Sequence, residues 1–282
     1  MNIAKRINDV QELQALIDRS EKVACIILGH ESCPVFFEEL PIDELIRCAQ
    51  EANLEVQINI PVVFEEYLDS FKIEVTRLLK AYPGIKLILN DWGMVYFIRE
   101  SFPDVKVTAG LGISFSYLEC PWYHHIVEEE FEMYHDIIQT HNFDSTNMLD
   151  LLKEYNIDEI IMSDLRTLSA SYERIAKSGI SILINKNVSI VAISRACHIL
   201  RILGKSEEKG QGCSKYCSNR TVLRTTHYYD MAMSVHDRVS EETKIMQPEM
   251  YYYANVLLAK NPVELSHGNH ENFRLIIDDV RY

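Results

Sequence analysis

Short apolar runs rich in β-branched residues recur along the chain, at Val23–Gly29, Leu54–Val62, Lys86–Asn90, Val105–Gly112, Asp158–Ser163, Ser181–Asn185, Ser189–Ser194 and Arg274–Asp278. Their near-continuous hydrophobicity predicts parallel strands covered on both faces. Between several of them the apolar spacing changes to that of a helix. Val10, Leu13 and Ile17 share one face behind a cap at Asn8 or Asp9, and Pro41 opens a helix with Ile42, Leu45, Ile46 and Ala49 inward. Leu68, Phe71, Val75, Leu78 and Tyr82 form the clearest stripe. Asp144 and Ser145 are caps for a helix carrying Met148, Leu151, Leu152 and Tyr155, and Leu165, Leu168, Tyr172 and Ile175 line the next. Strands alternating with helices imply right-handed βαβ units and a mainly parallel sheet. About eight strands in 282 residues match an α/β fold of the distorted TIM-type (β/α)8 barrel better than an open sheet. Ser181–Asn185 and Ser189–Ser194 are too close to hold a helix between them, so one is a loop or a strand extension. Tyr251–Tyr253 reads as part of an aromatic-rich helix.

Two stretches break the rhythm. Residues 113–142 exceed an ordinary connection and carry an apolar stripe of Val127, Phe131, Tyr134 and Ile138, which reads as a surface helix packed on the barrel or as a lid. Residues 204–220 are polar and glycine-containing, and they belong to a cysteine-rich loop over 197–220. No low-complexity tract or Pro/Gly-rich linker divides the chain, so residues 1–282 read as a single domain with one insertion.

Composition narrows the classes of function. Hydrophobic residues make up 47% and charged residues 25%, ordinary for a globular protein. Twenty-eight Lys and Arg against 42 Asp and Glu give a net charge of −14, which argues against a nucleic-acid partner because phosphate binding rests on basic side chains. The opening MNIAKRINDVQEL lacks an apolar signal core, and runs such as Val23–Leu28 are too short to span a bilayer, so a cytoplasmic protein with no membrane partner is expected. Seven cysteines in a reducing compartment point to metal or catalytic chemistry before disulfides.

Cys197, Cys213 and Cys217 form a C-x15-C-x3-C cluster across the polar loop. A loop with few apolar residues has no core of its own, and a bound metal would supply the missing order. The paired C-x2-C knuckles favoured by zinc are absent, whereas iron–sulfur clusters take thiolates, commonly four. Cys33 is the best fourth ligand: in LGHESC it follows a strand, on the loop facing the same barrel end as Cys197. Cys25 and Cys48 read as core thiols, and Cys120 stays open between a ligand, a reactive thiol and a structural residue.

The segments LGHESC (28–33), NDWGMV (90–95), AG (109–110), SRACHILR (194–201) and GCSKYC (212–217) together resemble the peptidase U32 family. The likeness is greatest to the branch containing the anaerobic ubiquinone-biosynthesis pair, and it covers nearly the whole chain outside residues 113–142. The resemblance implies a 4Fe–4S cluster bound by Cys33, Cys197, Cys213 and Cys217, and an O2-independent hydroxylase or one subunit of such an enzyme. It further implies a paralogous U32-family subunit in a heterodimer, or a homodimer, acting on a small-molecule or peptide substrate. A U32-type peptidase is the alternative. Peptidase-type members carry Glu, Phe, Gly and Cys where this chain has Ile182, Ile184, Asn187 and Ile190, which argues against proteolysis. A non-catalytic cluster-bearing partner or redox sensor is a third reading.

Chemistry on a barrel collects at the C-terminal strand ends. Those ends supply His30 and Glu31, Asn59, Asn90 and Asp91, Ser163 and Asp164, Lys186, and Asp278 and Asp279. Asn90, Asp91, Asp164 and Lys186 are the pocket candidates, with Trp92 beside the first pair. His198, next to Cys197, is placed to tune a cluster through a hydrogen bond to sulfur. His124–His125 and His267 with His270 read as loop residues. Arg195, Arg201, Lys205, Lys209, Lys215 and Arg220 make the cysteine loop locally basic, suited to charge compensation or to docking an acidic group. No phosphate loop, nucleophile elbow or HExxH motif occurs.

Overall fold

The computed structural model describes residues 2–116, 140–164, 168–186, 188–194, 196–205, 207, 213–214, 223–224, 250–260 and 273–278. Eight parallel strands close a barrel: β1 (Ile3–Arg6), β2 (Cys25–Leu28), β3 (Glu55–Ile60), β4 (Lys86–Leu89), β5 (Val107–Ala109), β6 (Ile157–Ser163), β7 (Ser181–Asn185) and β12 (Phe273–Asp278), with β12 paired to both β7 and β1. This is the (β/α)8 architecture of TIM-type barrels, as the alternation of strand and helix patterns predicts.

The helices form where the apolar stripes place them. Asp9 caps α1 (Val10–Asp18) by accepting the Glu12 amide at 2.9 Å. Pro34 opens the short α2 (Pro34–Glu38), and α3 (Ile42–Glu51) buries Ile42, Leu45, Ile46 and Ala49. The outer layer continues with α4 (Leu68–Ala81) and α5 (Trp92–Ser101). It goes on through α6 (Thr146–Glu154) and α7 (Ser169–Lys177). Of the two cap candidates before α6, Ser145 takes the role, accepting the Met148 amide at 3.3 Å. Asp144 instead accepts from Ser171 at 2.6 Å and pairs with Arg174, tying the start of α6 to α7.

The eighth barrel strand is not the one the apolar runs suggest. β1 occupies that place with only four residues, too short to stand out as a run. The Ser189–Ser194 segment leaves the barrel as β8 (Val188–Ile193) and pairs antiparallel with β11 (Val256–Lys260). Together with β9 (Leu223–Arg224) and β10 (Met250–Tyr253) it makes a four-stranded sheet of order β8-β11-β10-β9. Tyr251–Tyr253 is therefore strand, not helix: its ladder with Val256, Leu257 and Leu258 across the Ala254–Asn255 turn satisfies its backbone. This sheet, with the short α8 (His198–Ile202), stands between β7 and β12 where a repeating barrel would have a helix. Of the 113–142 insertion, residues 117–139 lie outside the described residues; its two feet meet at a Ser116–His141 bridge.

Two large apolar cores hold the described residues together. One fills the space between strands and helices, around Phe37, Phe71, Leu78, Leu87, Met94 and Phe143. The other lies inside the barrel, where Ala4, Ile27, Ile88, Ile161, Leu183 and Ile277 pack against Val188, Ile190, Val256 and Leu258 of the second sheet. The second sheet therefore shares the barrel's inner core. Above and below this apolar layer the buried side chains are polar: Arg6, Asn59, Asn90, Ser163 and Asn185 toward the strand C-termini, and Glu159, Gln57 and Thr108 toward the N-termini.

Candidate functional site

The C-terminal mouth is built from short side chains bonded to one another. Arg6 at the end of β1 donates to the Gly29 carbonyl at 2.6 Å and pairs with Glu31 at 3.3 Å, both side chains being almost fully buried. Asn59 donates to the same Glu31 carboxylate at 3.3 Å. Asn90 donates to the Asn59 side-chain oxygen and the Ile60 carbonyl, each at 2.6 Å, and accepts the Gly112 amide at 3.0 Å. The chain of contacts runs across β1 to β5 without a gap, so it fixes the loops that follow those strands.

Asp91 caps α5 by accepting the Met94 amide at 2.8 Å, while its other oxygen takes the Val63 amide at 3.1 Å. Burial pushes its carboxyl upward, against the pull of the Met94, Val63 and Gly93 amides. Asn90 and Asp91 are thus committed to shaping the mouth. Both still line a cleft of about 340 Å³, together with Val62, Phe64, Trp92, Gly112, Ile113, Ile193 and Ser194. The cleft is apolar apart from a few fixed polar groups, the usual make-up of a small-molecule site. Of the other pocket candidates, Asp164 is buried at the end of β6 and Lys186 is exposed after β7; neither lines this cleft.

The cysteine site adjoins the cleft along the chain: Ser194 of the cleft wall lies three residues before Cys197. Cys33 and Cys197 hold equivalent local positions, each the residue before a short helix, α2 and α8. Burial pushes the Cys33 thiol up to about 11, and the charges of Cys197 and Cys213 add to the rise, against the Phe36 and Val35 amides. Cys197 is also raised by burial, with the Leu200 and Ile199 amides opposing and Cys213 adding. The three thiols therefore lie within electrostatic reach of one another, and two face helix-end amides that favour a thiolate.

Among the described residues no group of three His, Cys, Asp or Glu side chains is gathered tightly enough for a single metal ion. A cluster asks for something else, because each thiolate binds a different iron and the sulfurs need not meet at one point. Cys33, Cys197 and Cys213 are each free of disulfide bonding, and the loops of the first two meet at Asn255, which donates to the Ser32 and Ser194 carbonyls. Cys217, the fourth expected ligand, lies outside the described residues, as do Cys120, His124, His125, His267, His270, Arg195, Lys209, Lys215, Arg220 and Asp279. Cys25 is a buried lumen thiol, as its place in the first apolar run suggests, and burial raises its pKa strongly. Cys48 packs against the outer core.

His198 packs against Tyr252 at a tilt, with ring centroids 4.9 Å apart, and burial lowers its pKa. Its Nε2 has no hydrogen-bond partner among the described residues. A second histidine went unnoticed in the sequence. His141 lies fully buried at the foot of the insertion, 3.2 Å from Ser114, a spacing that resembles a nucleophile–base pair. The tautomer rules that out. Nδ1 accepts the Phe143 amide at 3.2 Å, so Nε2 carries the proton and donates to Ser114, whose hydroxyl donates in turn to the Ile161 carbonyl. A histidine that already donates cannot withdraw a proton from that serine.

The fold and the mouth define a (β/α)8-type barrel protein with a thiol-bearing rim. No family model matches the chain, and no curated protein matches it. Among the described residues no helix is long and apolar enough to cross a membrane.

Proposed function

We propose that this protein is an iron–sulfur barrel protein of the U32 type, acting as an O2-independent hydroxylase or as one subunit of such an enzyme. One observation carries the reading: the loops bearing Cys33 and Cys197, far apart in sequence, meet at the barrel mouth, where the Asn255 side chain donates to the Ser32 and Ser194 carbonyls at 2.7 and 2.8 Å. Cys33, Cys197, Cys213 and Cys217 would hold a 4Fe–4S cluster, which supplies one-electron transfer when bound. The chain contributes amides of α2 and α8 facing two of the sulfurs, and a neighbouring, mainly apolar cleft of a size for a small molecule or peptide side chain. A cytoplasmic, reducing setting suits seven cysteines, and a paralogous or identical second subunit would complete the enzyme.

The peptidase reading gains nothing from the Ser114–His141 contact, whose proton arrangement is wrong for a nucleophile and its base; the other serine–histidine contact at the mouth, Ser32 Oγ to His30 Nδ1 at 3.1 Å, is buried within one loop. The deciding experiment is iron and sulfide analysis with a visible spectrum on protein purified without oxygen, beside Cys33→Ala and Cys213→Ala. About four irons per chain, lost in both variants, supports the reading. Zinc, or no metal, sinks it.

A further inference from the structure

We infer that Asn255 is a positioning residue that clamps the two cysteine loops together at the barrel mouth. Asn255 sits in the two-residue turn between β10 and β11 and is almost completely buried. Its side-chain amide donates to the Ser32 carbonyl at 2.7 Å and to the Ser194 carbonyl at 2.8 Å. Ser32 is the residue before Cys33, and Ser194 lies three residues before Cys197. One amide group thus joins loops that arise 162 residues apart, from Ser32 to Ser194, and that have no covalent reason to meet.

The surrounding turn reinforces the clamp. The Asn255 carbonyl accepts the Ser194 amide at 2.9 Å, and the Ala254 carbonyl accepts the His198 amide at 3.0 Å. Ala254 reaches this geometry with a left-handed φ of 51°, a conformation a non-glycine residue keeps only when its surroundings hold it there. The barrel loop after β2, the second sheet and the start of α8 therefore converge on two residues. Groups that orient ligands at one remove commonly change metal affinity by 10–100-fold when altered.

The inference rests on the cluster reading for its consequence, but the clamp itself can be tested with or without metal. Asn255→Asp keeps the shape and turns both donor contacts into carboxylate–carbonyl repulsion; Asn255→Ser serves if that variant does not fold. Asn185→Ala, which removes another buried amide donating to the Val188 carbonyl at 2.7 Å, controls for general loss of stability. In anaerobically purified protein the Asn255 variants are expected to release iron to a chelator at least about tenfold faster and to alter the electron-spin resonance of the reduced cluster. Asn185→Ala should leave both unchanged. Wild-type rates and an unchanged signal in folded Asn255→Asp would overturn the inference while leaving the cluster standing.

If the wild type holds no iron, the cluster reading fails and the clamp is read separately. A bifunctional thiol reagent should link Cys33 to Cys197 in metal-free wild type and do so several-fold less in Asn255→Asp. Equal linking in both, or none in the wild type, would overturn the clamp.

Discussion

Arg6 and Glu31 meet at 3.3 Å inside the barrel mouth, with side chains only 4% and 1% exposed. They join the end of β1 to the loop that carries Cys33, and Glu31 also accepts from Asn59 and, through its carbonyl, from the Val62 amide at 2.8 Å. A buried pair of this kind contributes little relative to an apolar substitute, yet breaking it strands a charge. Glu31→Ala is expected to cost about 3 kcal/mol by urea unfolding, within the range for an orphaned buried partner. The joint change Arg6→Met with Glu31→Leu should cost clearly less. Equal losses in the two proteins would show that the pair is not the source of the effect.

A second ionic knot closes the opposite end of the barrel. Glu159 accepts from Lys86 at 2.9 Å, Thr108 at 3.0 Å, Gln57 at 3.4 Å and Arg274 at 3.2 Å, while Arg274 also donates to Glu55 at 3.0 Å. Groups at the N-terminal strand ends hold the fold and stand apart from the chemistry. Glu159→Ala should lower stability by about 2 kcal/mol, less than full burial implies because Lys86 and Arg274 reach solvent in part. Iron content per folded chain should be unchanged; loss of metal from folded protein would contradict this division of labour.

His141 sets an acid limit. Burial depresses its pKa to about 3, against about 6.5 in an unfolded chain. As pH falls below the unfolded value, the unfolded state takes up a proton that the folded state refuses, so stability drops until pH reaches the folded value. Between pH 7 and pH 5 this one group should remove roughly 2 kcal/mol. Asp144 does not offset it in that window: burial raises its pKa, the Arg174 and Ser171 contacts outweigh burial, and its stabilisation is lost only as pH falls through the lowered value. Urea midpoints at the two pH values should therefore differ less in His141→Gln than in the wild type, and parallel curves would refute the assignment.

Gly112 has no room for a side chain. A Cβ there would press into the Asn90 backbone carbonyl, which belongs to the end of a barrel strand and cannot rotate aside. Gly112→Ala should cost about 1–3 kcal/mol and distort the cleft wall. Gly84→Ala meets no neighbouring atom, and its cost should be confined to backbone strain at φ 94°. Gly112→Ala with a melting temperature equal to the wild type would show that the β4 and β5 loops are looser than their contacts imply.

Much of this architecture is local and so was legible in the chain. The stripe of Ile42, Leu45, Ile46 and Ala49 specifies its helix through spacing alone, and runs such as Ser181–Asn185 and Asp158–Ser163 specify buried strands because both faces need apolar cover. The barrel followed from their alternation. Cys33 follows a barrel strand as its place after the first apolar run suggests, but Cys197 follows β8 of the second sheet and reaches the same rim through the β10–β11 turn, which no strand-end argument foresees.

What the chain concealed depends on pairing between distant segments. β1 has four residues and becomes a barrel strand only because β2 and β12 flank it. Val188–Ile193 carries the same composition as a barrel strand, and its departure is decided by β11, the strand with which it pairs. The Tyr-Tyr-Tyr-Ala-Asn-Val-Leu-Leu segment did contain a usable signal, two strand-forming runs separated by two residues with Asn in the turn. Asn255 itself is an ordinary turn residue in sequence. Only the tertiary structure brings its amide between the Ser32 and Ser194 carbonyls, because hydrogen bonds across such separations depend on how sheets pack and leave no periodic mark in the chain.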